Sequence, residues 1–303
     1  MPLASPLPPA GRHFRPPLHR RRRLSLIWGA VALVILTSIT FAVVRWVPGP
    51  WVESPVVPAV GTPDSAAAIP EDLANSIDRI LGDAGDYRVG VALSGVDGGE
   101  TRTFGDNSPF AAASTAKLIT AAAYYHLVET GEATLDEKLG DYDAGFQVEA
   151  MINTSSNDSW LLLMDAIGYP RLIEYAASIG IVYDPQENTL TPGEMAVFLK
   201  KLYAGELLNR EDTEQMLGYM RNTNDEVLIP AATRPDITVH HKYGQLDGSL
   251  HDAALLTFRE ATYALVIYTE SADSSDEAER TELIHELTET AVDALFPPAP
   301  PGP

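Results

Sequence analysis

The pattern of apolar and polar positions divides the chain into helical and extended stretches. In "IPEDLANSIDRILGDA" the apolar residues between positions 73 and 81 recur at helical spacing. The next segment, "YRVGVALSGVDGGETRTFG", reads as two strands joined by an Asp-Gly-Gly turn at residues 97–99. After a long, mainly helical stretch, the shorter run "ITVHHKYG" and two β-rich runs, "HDAALLTF" and "TYALVIYT", predict further strands.

Two helix starts are marked by their residues. In "TPGEMAVFLKKLY", Thr191 stands at the cap position, Pro192 at the first helical position, and Glu194 completes a capping box. "SSDEAERTELIHELTETAVDAL" predicts a final amphipathic helix with an acidic first turn. Strands early and late, with helices between them and at both ends, predict an α+β domain. We expect a largely antiparallel sheet flanked by the N- and C-terminal helices, and a separate all-helical lobe.

A different pattern precedes this domain. Residues 24–44 are 21 uncharged, mostly apolar residues, roughly 31 Å as a helix at 1.5 Å per residue. Arginines occupy positions 20–23, and only Arg45 follows the run. Because the positively charged side stays in the cytoplasm, we expect one transmembrane helix over residues 24–47, with residues 1–23 cytoplasmic and the domain outside the cell membrane. The alternative is a cleaved signal peptide, whose apolar core is usually shorter.

The segments that flank the domain are rich in proline. Residues 48–70 contain six prolines and few large apolar residues, which predicts a semi-extended linker. Residues 297–303, "PPAPPGP", predict an unstructured tail. Residues 71–296, between these segments, are enough for one domain with a sizeable core.

The charge of the chain excludes one class of partner. The net charge is −21, but the first 50 residues carry seven arginines and no acid. The remainder has 14 basic and 42 acidic residues, a net charge of −28. Such a body repels DNA phosphates, so we expect no nucleic-acid partner. The chain has no cysteine, which excludes disulfides and thiolate metal sites.

Candidate chemistry begins in "AAASTAKLITAAAYYHL". Ser114 and Lys117 are three residues apart, which places both on one face of a helix. A serine nucleophile needs a base, and a lysine amine becomes one when burial or another cation lowers its pKa. The same residues also fit an ordinary helix start, with Ala113 or Ser114 as the cap.

Two further motifs follow. "MINTSSNDSW" supplies Ser155 and Asn157 between two helical segments, and "ITVHHKYGQLDG" supplies Lys242 and Gly244 at the end of a β-rich run. A second Lys-x-Gly, at Lys138, lies in a polar stretch and is set aside. In this order, Ser-x-x-Lys, Ser-x-Asn and Lys-x-Gly resemble the signature of penicillin-recognising serine enzymes, the class A β-lactamases and penicillin-binding proteins. The resemblance spans about residues 71–295.

The resemblance implies catalytic roles for four residues. Ser114 would be acylated, Lys117 would accept its proton, and Ser155 would pass a proton to the leaving nitrogen. Lys242 would supply positive charge for a substrate carboxylate and help to keep Lys117 neutral. The resemblance implies no metal and no cofactor.

Other matching positions would contact the substrate. Asn157 would bind its acyl side chain, Gly244 would let its backbone lie close, and the backbone N–H groups of Ser114 and Gln245 would form an oxyanion hole. Tyr243 replaces the threonine or serine usual at this position. It is either a substrate-binding residue or a tyrosine packed over the rim of the cleft.

The largest departure from class A β-lactamases concerns hydrolysis of the acyl-enzyme. Those enzymes carry a glutamate and an asparagine in a long loop to activate water, whereas here only "GIVYDPQENTLTPGE" precedes the capped helix. Glu187, beside Asn188, is a weak candidate for this base, and Asp184 is the other acid. A solvated turn is the simpler interpretation. A milder departure is Ser156, where class A β-lactamases usually carry aspartate.

Three histidines, His240, His241 and His251, are close in sequence, as in some metal sites. Alternation along a strand points His240 and His241 to opposite faces, so structural roles are favoured.

The sequence therefore predicts an exported serine hydrolase, tethered to the membrane by its N-terminal helix, that acts on β-lactams or D-Ala-D-Ala-type cell-wall peptides. Without an evident loop base, its acyl-enzyme should hydrolyse slowly or pass the acyl group to another nucleophile. Tyr243 and the short loop leave an alternative open. The domain would then be a degenerate penicillin-recognition module that binds wall fragments or a membrane partner.

Overall fold

The computed structural model describes residues 69–272 and 274–297. The predicted cytoplasmic tail and transmembrane helix, and nearly all of the two proline-rich segments, lie outside the described residues. Within the described ranges, none of the helices has the length and apolar character needed to cross a membrane.

The described residues form eight α-helices and nine strands. The helices are α1 (Glu71–Gly82), α2 (Lys117–Glu129), α3 (Ala144–Asn153), α4 (Asn157–Ile167), α5 (Tyr169–Ser178), α6 (Pro192–Tyr203), α7 (Arg210–Tyr219) and α8 (Glu277–Leu295). The strands are β1 (Arg88–Gly95), β2 (Arg102–Gly105), β3 (Phe110–Ala111), β4 (Lys138–Leu139), β5 (Tyr142–Asp143), β6 (Thr189–Leu190), β7 (Thr238–Leu246), β8 (Ser249–Phe258) and β9 (Ala261–Glu270). Short 3₁₀ turns cover Ala113–Ala116, Ile229–Ala232 and Ser274–Asp276.

Five strands form one antiparallel sheet in the order β2-β1-β9-β8-β7. The early hairpin pairs Gly90 with Gly105, and the late strands pair Lys242 with Ala253 and Ala253 with Val266. This confirms the predicted α+β class and its antiparallel sheet. β7 is an edge strand, so no further strand of this sheet pairs with its outer side. β7 packs beside the Ala113–Ala116 turn.

The sheet separates two hydrophobic cores. On one face, Ile77 of α1 and Leu287 of α8 cluster with Val91 and Leu93 of β1. On the other face, Ala92 belongs to the core that includes residues of the helices α2 to α7, which form the predicted helical lobe and pack on the sheet. The alternation of Val91, Ala92 and Leu93 between the two cores follows from the period of two along a strand.

The start of α6 is capped as predicted. The Thr191 hydroxyl accepts a hydrogen bond from the Glu194 N–H (3.1 Å), and the Glu194 carboxylate accepts one from the Thr191 N–H (2.9 Å). The second carboxylate oxygen of Glu194 accepts the Val182 N–H at 2.9 Å. The capping box therefore also holds the end of the loop that precedes α6.

Candidate active site

Ser114 lies in a 3₁₀ turn that precedes α2, and it is not the helix cap expected from the sequence. The α-helix begins at Lys117, its N-cap is Ala116, and no side chain caps it. Ala113, directly before Ser114, has a positive φ of 49°, a conformation that costs energy for a residue with a Cβ. Thr115 stabilises the turn, because its hydroxyl donates to the Ala112 carbonyl at 2.7 Å. The Ser114 hydroxyl is thus left facing a neighbouring amine.

That amine belongs to Lys117, which is completely buried. Its Nζ donates to Ser114 Oγ (2.9 Å), to the Ser155 carbonyl (2.7 Å) and Oγ (3.2 Å), and to Asn157 Oδ1 (2.7 Å). Burial lowers the pKa of Lys117 to about 8. Roughly a tenth of the amine is therefore neutral at pH 7, far more than for an ordinary lysine, and this fraction can accept a proton from Ser114.

Ser155 lies in the link between α3 and α4. Its backbone has a φ of 56°, again in the left-handed region, and the next residue, Ser156, caps α4 by accepting the Ser159 N–H at 3.1 Å. The Ser155 hydroxyl is contacted by two lysines, Lys117 at 3.2 Å and Lys242 at 3.0 Å. The strained link therefore places one hydroxyl between two amines.

Lys242 of β7 is as buried as Lys117. Burial, together with repulsion from Lys117, lowers the pKa of Lys242 to about 7, against the attraction of Asp252 and Asp225. Besides Ser155, its Nζ donates to the Tyr243 carbonyl at 3.0 Å. Two buried amines that share a hydroxyl disfavour a state in which both carry a proton.

Gly244 brings β7 against the turn that contains Ser114. A Cβ at this position would lie 3.0 Å from the Ser114 backbone nitrogen and 3.1 Å from Thr115 Cγ2. Glycine therefore allows the close approach of β7 to the 3₁₀ turn, a reason for glycine that the sequence did not indicate. The next residue, Gln245, is exposed, and its side-chain amide donates to Glu277 at 2.7 Å.

The structure thus brings together Ser114, Lys117, Ser155, Asn157 and Lys242 from three separate segments. The model of the family described as "Beta-lactamase enzyme family" matches residues 72–295. The chain belongs to this family. It is a serine hydrolase of the class A β-lactamase type.

Solved structures show the same fold at low sequence identity. PBP-A is 22% identical with a TM-score of 0.68, over 74% of this chain and 96% of that one. A PBP-A point mutant, described as an acyl-enzyme complex with penicillin G, is 22% identical with a TM-score of 0.67 and the same coverage. A β-lactamase from Xanthomonas campestris pv. campestris is 24% identical with a TM-score of 0.67, over 74% of this chain and 97% of that one.

Tyr243 departs from the β-lactamase family's usual residue, and the structure places it over Lys242. Its ring centroid lies 3.9 Å from Lys242 Nζ, and its hydroxyl donates to Asn224 Oδ1 at 3.0 Å. The Asn224 side-chain amide in turn donates to the Thr154 carbonyl at 3.2 Å. Sequence analysis missed Asn224, because it comes from an irregular segment 70 residues beyond Thr154.

In this β-lactamase-family protein, neither of the two acidic residues considered in the loop before α6 is placed as a base for hydrolysis of an acyl-enzyme. Glu187 is exposed, and Asp184 is exposed with one oxygen accepting the Gln186 N–H at 2.8 Å. Asn188 is the loop residue that reaches the site, because its amide donates to the Ala113 carbonyl at 3.1 Å. The sequence singled out Asn188 only as the neighbour of Glu187.

The three histidines do not converge on one site, and the buried Nδ1 of His240 has no hydrogen-bond partner. His241 Nδ1 donates to Asp252 (2.9 Å), whereas His251 Nε2 donates to the Ala111 carbonyl (2.8 Å). Burial lowers the pKa of His240, with a contribution from Arg221, to about 4. In the part of the chain that the structure describes, no three His, Cys, Asp or Glu side chains are grouped as metal ligands.

Proposed function

We propose that this β-lactamase-family protein is an exported enzyme, anchored by residues 24–47, that forms an acyl-Ser114 intermediate with β-lactams or D-Ala-D-Ala-type peptidoglycan peptides. The observation that carries the proposal is the buried Lys117 amine, 2.9 Å from Ser114 Oγ and 3.2 Å from Ser155 Oγ. The penicillin G acyl-enzyme of the PBP-A mutant supports the choice of substrate class. The arginines at positions 20–23 support an extracellular domain.

Acylation follows from the positions of these side chains. Neutral Lys117 takes the proton of Ser114 Oγ as this oxygen attacks the carbonyl carbon of the scissile amide. The backbone N–H groups of Ser114 and Gln245 stabilise the oxyanion. The C–N bond then breaks, and the proton passes from Lys117 through Ser155 to the leaving nitrogen. The products are an ester on Ser114 and an amine, and Lys117 is neutral again.

We further propose that hydrolysis of this ester is slow. Among the described residues, no carboxylate is hydrogen-bonded to Ser114, Lys117, Ser155 or Lys242. Glu187 and Asp184 are both exposed. Without a base for the attacking water, the acyl group should remain on the enzyme or pass to an amine acceptor.

An intact-mass time course of the full-length protein in mild detergent with excess penicillin G tests the proposal. We expect a persistent adduct of one penicillin, mapped to Ser114 by peptide analysis. Ser114→Ala should abolish the adduct with little change in melting temperature. Ser178→Ala, which removes an exposed hydroxyl from α5, is the matched control and should keep it.

Other results of this experiment would contradict parts of the proposal. An adduct that survives Ser114→Ala would refute the nucleophile. Rapid consumption of penicillin without an adduct would refute slow deacylation. Penicillin that is neither bound nor consumed would favour the alternative of a non-catalytic binding module.

A further inference from the structure

Both cations of the cleft are closed off from solvent. Lys117 and Lys242 each have 0% of their surface exposed. Lys242 Nζ lies against the face of the Tyr243 ring. It donates hydrogen bonds to Ser155 Oγ and to the Tyr243 carbonyl, each at 3.0 Å. The Tyr243 ring therefore lies against the ammonium group that a substrate carboxylate would have to reach.

The phenol is fixed in this covering position. Its hydroxyl is bonded to Asn224 Oδ1 at 3.0 Å. Asn224 is fixed in turn by its own N–H, which donates to the Asn153 carbonyl at 3.1 Å, and by its amide, which donates to Thr154. Tyr243 thus spans the distance from β7 to the residues directly before Ser155.

Acidic side chains also lie near this cover. Asp225 and Asp252 both attract the Lys242 ammonium group, although burial and Lys117 together lower its pKa to about 7. Gln245, at the exposed rim, is bonded to Glu277. Among the described side chains that contact Ser155, Lys242 or Tyr243, the cations are the two buried lysines. A substrate carboxylate would find little compensation here for the water that it gives up.

We propose that Tyr243 makes the enzyme selective for acyl donors that are uncharged on the leaving-group side of the scissile amide, such as esters, amidated peptides or chain-extended peptides. Donors with a free carboxylate at that place react more slowly. The inference rests on the proposed function and specifies its substrate class. The bonds made and broken are the same for both kinds of donor, so the difference lies in recognition alone.

Penicillin G and its methyl ester form a matched pair of probes for this selectivity. For each probe, the second-order rate of adduct formation on full-length protein is divided by its rate of alkaline hydrolysis, which removes the difference in intrinsic reactivity. We expect the corrected ester-to-acid ratio to exceed 1 in the wild type. In Tyr243→Thr it should fall about tenfold or more, the value of one charged hydrogen bond regained with Lys242.

Further variants test whether a change in the ester-to-acid ratio comes from the Tyr243 ring over Lys242 or from a general change in the protein. Asn224→Ala releases the phenol but keeps the Tyr243 side chain, and it should lower the ratio by a smaller factor. If Tyr243→Thr does not fold, the ester-to-acid ratio of Asn224→Ala tests the proposal in its place. Tyr142→Thr is the matched control, because Tyr142 precedes α3, at the end opposite to Ser155, and it should leave the ratio unchanged.

Three outcomes would overturn the inference. One is a wild type that reacts faster with the acid than with the ester after correction. Another is a ratio that neither variant at Tyr243 or Asn224 changes. The third is a wild-type preference that disappears in concentrated salt, which would assign it to the long-range charge of the domain. Absence of adducts with both probes would instead refute the proposed acyl-enzyme itself, a separate and recognisable failure.

Discussion

At the scale of single residues, the proposed base, Lys117, is surrounded by neutral groups. The acceptors around Lys117 Nζ are two hydroxyls, a backbone carbonyl and the side-chain oxygen of Asn157. Because none of these acceptors is charged, the ammonium form gains no ion pair to offset its burial, and the pKa falls to about 8. Ser155 links the titration of Lys117 to that of Lys242, so the pair loses its protons in two steps.

The rate of acylation should therefore increase with pH in the neutral range. At pH 6 both lysines are largely protonated, because both pKa values lie higher, at about 8 and about 7. As the pH rises to 8, one proton leaves the pair and a base becomes available, so adduct formation should rise at least about tenfold. Rapid-quench intact mass over this range measures the profile. A flat or falling profile would contradict Lys117 as the base, and Lys117→Arg should show no adduct at any pH.

At the scale of structural elements, His241 joins β7 to β8 and to the segment before Ile229–Ala232. Its Nδ1 donates to Asp252 on β8 (2.9 Å), and its Nε2 lies 3.0 Å from Thr223 Oγ1 and 3.3 Å from Glu226 Oε1. Its backbone N–H donates to the Met220 carbonyl at 2.8 Å. Lys242 and Tyr243 follow His241 directly in the chain. The contacts of His241 therefore also position the Tyr243 ring over Lys242.

We expect this junction to contribute more to stability in acid than in base. Burial lowers the pKa of His241, but Asp252 and Glu226 outweigh burial and raise it above 6.5. The contribution is therefore fully present below pH 6.5 and is lost as the pH rises through the raised value. His241→Gln leaves the buried Asp252 without its hydrogen-bonded cation and should cost about 3 kcal/mol at pH 5.5, and less at pH 9.

Urea unfolding of wild type and variant at both pH values measures this difference. His126→Gln, at an exposed position on α2, should cost little at either pH. A cost for His241→Gln that is equal at the two pH values would show that His241 stabilises the fold through packing and not through its charge.

At the scale of the whole molecule, a strongly acidic domain follows a basic N-terminal segment. The first 50 residues carry seven arginines, and the remainder has a net charge of −28. An acidic body is repelled by anionic lipid headgroups, whereas the arginines at positions 20–23 are attracted to them. These opposite charges favour the proposed arrangement, with the apolar segment in the bilayer and the domain away from the membrane surface.

Fractionation of cells that express the full-length chain tests the proposed anchor. We expect the intact chain in the membrane pellet after an alkaline carbonate wash, because about 20 apolar residues suffice to span a bilayer. Deletion of residues 24–44 should move the protein to the soluble fraction. A shortened chain in the soluble fraction of the unmodified strain, identified by intact mass, would instead indicate a cleaved signal peptide.

Features that local residue types determine could be predicted from the sequence, and features that tertiary contacts determine could not. The capping box at Thr191 and the hairpin at residues 97–99 were predictable because local residue types determine both. The 3₁₀ start at Ser114 was not, because Ala113 adopts a positive φ that tertiary contacts impose. Asn224 could not be placed either, since no periodicity positions an irregular segment relative to a distant strand.

The pairing of β1 with β9 has a consequence for synthesis of the chain. Arg88 at one end of β1 pairs with Glu270 of β9. One side of the first strand of the sheet can therefore form its hydrogen bonds only after the last strand has been synthesised. Lys242 follows Ser114 by 128 residues, a delay of roughly 6–26 s at ~5–20 residues per second of translation. Until then Lys117 lacks the second amine, Lys242, with which it shares the Ser155 hydroxyl. We therefore expect a nascent chain that lacks β7 to form no acyl-enzyme, so that covalent capture of a β-lactam would indicate a folded domain.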